Sequence, residues 1–127
     1  MSDVYALDLA VDLSMGTPRA VLDGLRWHLG IEAECDLDED DGPLLAERGA
    51  ALRIGGALVG ELVCADNAWH LTARQEVHEE TLLELYELLG RLVKHASRDG
   101  IIGQIRFYED EVPDLLIHED GAVKKVA

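Results

Sequence analysis

Residues 4–13, VYALDLAVDL, alternate without a break. Tyr5, Leu7, Leu9, Val11 and Leu13 fall on one side of an extended chain, and Val4, Ala6, Asp8, Ala10 and Asp12 on the other. A period of two over ten residues specifies a strand with one buried face, and hence a sheet with something apolar packed against it. Residues 69–78, WHLTARQEVH, repeat the pattern. Trp69, Leu71, Ala73 and Val77 share the apolar side, and His70, Thr72, Arg74, Glu76 and His78 the polar one.

Two helices can cover that sheet. Thr17-Pro18 predicts a helix start, with Thr17 as N-cap and the proline where its missing N–H costs nothing. Val21, Leu22, Leu25 and Leu29 follow at helical spacing, and Gly30 provides a left-handed stop. A second helix is predicted over residues 79–98. Glu79 and Glu80 stand in its first turn, and Lys94, His95 and Arg98 in its last, matching the macrodipole. Leu82, Leu85, Leu89, Leu92, Val93 and Ala96 form its apolar stripe.

Between the helices, residues 51–64 read as a strand bent at Gly55-Gly56 and joined to 69–78 by a turn at residues 65–68, a β-hairpin. Residues 43–48 suggest one helical turn ended by Gly49. After the second helix, 101–109 reads as a strand, Pro113 breaks it, and 115–126 forms a hairpin turning at Glu119-Asp120-Gly121. The expected order is β-α-β-β-α-β plus a C-terminal hairpin. That is a ferredoxin-like α+β plan, with two helices on one face of an antiparallel sheet, in one domain spanning residues 1–127. The runner-up is another α+β sheet in which the acidic segment adds a strand.

Charge narrows the partners. The chain has 26 Asp and Glu against 11 Lys and Arg, a formal charge of −15. Nucleic acids are bound largely by Lys and Arg displacing counterions, so neither they nor anionic membranes are expected partners. A basic protein partner, or none, is compatible with this charge. No apolar run approaches the ~20 residues that span a bilayer. The first residues lack a basic n-region and an apolar h-region, so no signal peptide is expected. With Cys35 and Cys64 as its two cysteines, the chain does not resemble a disulfide scaffold, and a cytoplasmic setting with reduced thiols is expected. Cys64 is expected in the core, on the Leu58, Gly60, Leu62 side of its strand.

Several strings look alike to one family when taken together: LRWHLG (25–30), PLLAERGAALRIGGALVGELV (43–63), WHLTARQEVH (69–78) and IRFYEDEVPDLL (105–116). Over most of the chain they resemble a family of small uncharacterised actinobacterial proteins. The resemblance implies a bacterial cytoplasmic protein and transfers no activity.

Candidate chemistry concentrates on the polar side of the sheet. His70, Arg74, Glu76, Arg106 and Tyr108 could form a ligand site, the two arginines clamping an anion and a His or Glu moving protons. The competing reading is a solvated or dimerising face laced with cross-strand ion pairs, favoured by Val4, Ala6, Ala10, Val59 and Val63 on the same side. Residues 32–42 are an acidic loop. Asp36, Asp38, Asp40 and Glu47 imitate the spacing of a calcium loop, but Asp41 stands where a glycine is needed and Pro43 where a backbone N–H is needed. No metal, cofactor or catalytic residue is expected. His28 reads as a helix-surface residue, and no histidine or cysteine pair has ligand spacing. The expected function is a non-enzymatic interaction module, homodimeric through the sheet, that neutralises a basic partner through the acidic loop. The alternative is a small ligand-binding protein or enzyme using the polar face.

Overall fold

The computed structural model describes residues 3–31 and 42–127. Seven antiparallel strands form one sheet: β1 (Val4–Ser14), β2 (Gly49–Ala50), β3 (Ala57–Ala65), β4 (Ala68–His78), β5 (Gly100–Phe107), β6 (Asp114–Glu119) and β7 (Ala122–Val126). Their spatial order is β2-β3-β4-β1-β5-β6-β7. Two helices, α1 (Arg19–His28) and α2 (Leu82–Val93), complete the α+β fold.

This seven-stranded sheet corrects the expected ferredoxin-like plan of four strands plus a C-terminal hairpin. Strand β5 leaves a free edge, and Asp114–His118 of β6 pairs with it along Gly100–Ile105. Strand β7 then pairs with β6. The C-terminal hairpin therefore widens the same sheet, and short β2 adds an edge on the other side.

The strand alternation sets the layers. Leu7, Leu9, Val11 and Leu13 of β1 are all buried, as are Leu71, Ala73 and Val77 of β4. With Leu25 of α1, Leu29 just after it, and Leu85, Leu88, Leu89, Leu92 and Val93 of α2, they form a continuous core. Each fully buried leucine contributes about 1.5–3 kcal/mol relative to an exposed one.

Turn chemistry fixes the connections. Asp66 and Asn67 have φ of 53° and 62°, and Asp120 and Gly121 have 51° and 79°. Two successive positive φ values make type I′ turns, whose twist matches the strands they join. Helix α1 ends in a Schellman motif: the Ile31 N–H donates to the Arg26 carbonyl and the Gly30 N–H to that of Trp27, with Gly30 at φ 73°.

Four local expectations are corrected. Thr17 does not cap α1; its hydroxyl donates to the Ser14 carbonyl at 2.7 Å, and Pro18 is the N-cap. Residues 43–48 form no helix. Helix α2 stops at Val93, because the next segment bonds to the end of β1: Ser14 N–H to His95 O and Ser97 N–H to Asp12 O. Residues 51–56 are a loop, with Gly55 and Gly56 both at positive φ.

Candidate functional site

The side of the sheet away from the helices carries all five predicted ligand residues, and the structure assigns them three separate tasks. Glu76 lies in β4 opposite Ala6. Its carboxylate accepts the Leu52 N–H at 2.6 Å and the Arg53 N–H at 2.8 Å. Arg74, two residues earlier, donates to the carbonyls of Gly55 and Ala57 at 2.8 and 3.1 Å. It also stands 3.7 Å from Asp8. Tyr108 lies under the Arg53 guanidinium, 5.5 Å from ring centre to carbon. A hydrogen bond with Glu109 holds its phenol pKa above the ordinary value, reinforced by desolvation. These three residues do come together, and what they hold is the chain's own loop 51–56.

The Arg53 side chain reaches from this loop to Tyr108, whose N–H donates to the Val4 carbonyl at 3.0 Å, and Val4 and Ala6 on this side are buried at 4% and 5% exposure.

Arg106 turns away from this group. Its guanidinium donates to the carbonyls of Phe107, Tyr108 and Asp110, the last at 2.7 Å, and so fastens the turn that follows β5. His70 stands at the other end of β4, six residues from Glu76, or about 20 Å along a strand. Its Nδ1 is 2.6 Å from Asp12 Oδ1 and its Nε2 3.0 Å from the Ala65 carbonyl. Both partners are acceptors, a setting that favours the protonated ring. The Asp12 hydrogen bond, followed by the Ala65 carbonyl, raises its pKa. Both ring nitrogens are thus engaged by the chain itself.

Other sequence-marked residues also find structural places. His28 is buried at 1% exposure rather than on the helix surface; its Nδ1 accepts the Leu44 N–H at 3.3 Å. His118 is buried as well. Its Nε2 is 3.1 Å from the Gly121 N–H, and its Nδ1 is 3.0 Å from the Arg98 carbonyl and 3.5 Å from Asp99. Cys64 is exposed, a correction to its expected place in the core. It keeps the core-facing parity of β3, but it lies at the hairpin end, where its sulfur meets the half-exposed Met15 at 3.7 Å. Asp36, Asp38, Asp40, Asp41 and Cys35 lie outside the described residues. Among the described residues, no group of three His, Cys, Asp or Glu side chains is placed to hold a metal.

A residue that the alternation left unassigned organises one edge. Gln75 has 0% exposure on the apolar side of β4. Its Oε1 accepts the Glu47 N–H, and its Nε2 donates to the carbonyls of Glu47, Val59 and Arg74 at 2.9–3.0 Å. Beside it, Arg48 donates to the carbonyls of Leu45, Glu47, Leu29 and Gly60. Together they bind segment 45–48 to the edge of β3.

A sizeable cavity lies on the helix side. It is a groove of about 690 Å³ between α2 and the β6–β7 hairpin, with Tyr86, Gly90, Arg91, Lys94, Leu116 and Lys125 among its lining residues. Sequence reasoning assigned Lys94 to the helix dipole and overlooked the rest. The available signals were a glycine inside a leucine-rich helix and the gathering of all three lysines, Lys94, Lys124 and Lys125, in two C-terminal segments.

No family model matches the chain, and no curated protein or solved structure is found to be similar to it. No helix among the described residues is long and apolar enough to cross a membrane.

Proposed function

We propose that the protein is a non-enzymatic binding module that works as a homodimer through the open side of its sheet. The observation that carries this reading is the combination of exposed apolar residues and matched charges on that side. Four of its large apolar residues are well exposed: Val59 at 41%, Val63 at 48%, Ile101 at 65% and Val126 at 42%. The charges between them are largely matched. Asp8 faces Arg74, Asp12 faces His70 and Arg98, and Glu119 faces Lys124 at 3.3 Å. In a chain of charge −15, a second copy meets least repulsion on such a face.

The size also fits. Five long strands ~4.8 Å apart and about eight residues deep present roughly 600 Å² in projection. A standard interface buries about 800 Å² of corrugated surface per partner. The order of the four central strands, β3-β4-β1-β5, supports reading that core as a split β-α-β unit of the ferredoxin-like kind. The dimer doubles an already acidic charge, so the partner class we propose is a basic protein, drawn in by long-range attraction.

The test is sedimentation equilibrium of the parent, of Val63→Glu and of Ile101→Glu. A parent dimer that both variants convert to monomer supports the reading. A parent that stays monomeric at high protein concentration overturns it.

A further inference from the structure

We propose that the groove between α2 and the β6–β7 hairpin is a binding site for a monocarboxylate with an apolar tail. It opens on the helix side of the sheet, so it stands apart from the proposed dimer face.

Its floor is apolar. Leu116 is fully buried and Val123 is half-buried, with the Tyr86 ring at one end. Its rim is cationic: Arg91, Lys94 and Lys125 against the single carboxylate of Glu87. That balance is the reverse of the chain as a whole. Lys94 makes no ion pair among the described residues, and Lys125 reaches Asp114 only at 3.9 Å.

Ordinary roles account for these cations singly. Arg91 and Lys94 suit the negative end of a helix dipole, and lysines on the outer strand β7 discourage edge-to-edge pairing. Neither role accounts for Gly90. It sits inside α2, where glycine costs about 0.5–1 kcal/mol relative to alanine. A Cβ built on it meets nothing within 4 Å, and the same holds at Gly121 on the facing hairpin. An alanine would fit and would strengthen the helix, so packing does not require this glycine. Its effect is to leave open space over an apolar floor with cations at its edge.

That pairing selects the ligand. Inorganic phosphate would meet the rim and leave the floor wet. A neutral alcohol would cover the floor and leave Lys94 without a counter-charge. A carboxylate on an aliphatic body satisfies both, in a cavity of the size that small-molecule sites have. The Tyr86 phenol, whose pKa is raised by burial and then by Asp114 and Tyr5, stays protonated and can donate to the head group.

The experiment is an amide-resolved NMR titration of the full chain with octanoate, 1-octanol and inorganic phosphate. Octanoate is expected to shift the Gly90, Gly121 and Val123 amides saturably, and the other two to bind about tenfold more weakly or less, the difference one charged hydrogen bond makes. Gly90→Phe fills the groove and is expected to remove octanoate binding. The exposed pair Lys94→Glu and Lys125→Glu is expected to weaken it about tenfold and serves as the deciding variant if Gly90→Phe does not fold. The proposal is overturned if octanoate gives no saturable shift, if octanol binds as well as octanoate, or if the folded variants bind octanoate like the parent.

Discussion

Replacing Gln75 by glutamate changes one atom in the most enclosed polar group of the fold, and the outcome can be worked out. Gln75 is 0% exposed, and its Nε2 faces three carbonyl oxygens, those of Glu47, Val59 and Arg74, at 3.0, 2.9 and 3.0 Å. In Gln75→Glu an ionised carboxylate would put an oxygen where three acceptors expect a donor. A protonated carboxyl keeps one O–H in place of two N–H groups, a loss of about 1 kcal/mol at any pH. Ionisation adds a pH-dependent term. Burial and three facing carbonyls raise the folded-state pKa above the ~4.3 of a free glutamate, and each unit is about 1.36 kcal/mol. The penalty is absent below that unfolded value and grows as pH rises, until the folded pKa is reached. If the folded pKa lies above 7, the ionisation cost is about 1 kcal/mol at pH 5 and about 3.7 kcal/mol at pH 7. The total at neutral pH is then about 4–5 kcal/mol, a large part of the ~5–15 kcal/mol that holds a domain together. Urea unfolding of parent and variant at pH 5 and pH 7 gives the difference directly, because Gln75 does not titrate. A variant deficit about 2.6 kcal/mol larger at pH 7 than at pH 5 is expected. A deficit that stays flat between the two would refute the reasoning, since it would mean that the new carboxylate reaches water and segment 45–48 does not seal this edge.

Two further perturbations test other parts of the structure. His70 gains its pKa shift from Asp12 and the Ala65 carbonyl, so its ion pair contributes fully below the unfolded value of about 6.5 and is lost as pH rises through the higher folded value. The stability gap between the parent and His70→Gln should close over that window, and a ring titration midpoint at or below 6.5 (the free-histidine value) would sink the assignment. At Gly103 a Cβ would fall on the Asp8 carbonyl oxygen and within 3.1 Å of Leu9 Cα, both main-chain atoms of the paired strand. Gly103→Ala should therefore cost about 3 kcal/mol or more, while Gly16→Ala, with nothing within 4 Å, should stay within ~0.5 kcal/mol; equal urea midpoints for the two variants would count against the close approach of β1 and β5.

The features legible in the sequence were those written in local stereochemistry. Alternation located β1 and β4 because a half-buried strand has no other period. Asp66-Asn67 and Asp120-Gly121 marked both hairpins because few residues accept successive positive φ angles. Gly30 marked the end of α1 for the same reason. What escaped was decided by partners distant in the chain. Helix α2 could have run to Arg98 on propensity alone, but the end of β1 offers hydrogen bonds to His95 and Ser97 that a helix would forgo. Residues 51–54 have the composition of a strand, yet Glu76 takes two of their N–H groups and turns them into a loop. Gln75 carries a polar side chain on an apolar row, and nothing local announces that segment 45–48 will need it.

The candidate site was half legible for a related reason. The sequence correctly grouped Arg74, Glu76 and Tyr108 on one side of one sheet, and two arginines beside carboxylates do resemble an anion clamp. Grouping, however, says nothing about whether donors and acceptors are already committed. Arg74 and Arg106 spend their guanidinium hydrogens on main-chain carbonyls, and Glu76 spends its oxygens on main-chain N–H groups. Any external ligand there must first displace a hydrogen-bonded loop. The α2 groove presents the opposite condition. Lys94 has no ion-pair partner among the described residues, and beside it the space over Gly90 is unfilled. Binding there displaces no segment of the chain, and the apolar floor gains by it, at roughly 25 cal/mol per Å² covered. Between a face rich in chemical side chains already engaged and a plain groove with unspent charge, free energy favours the groove for a small ligand, and it leaves the sheet to a partner large enough to cover it.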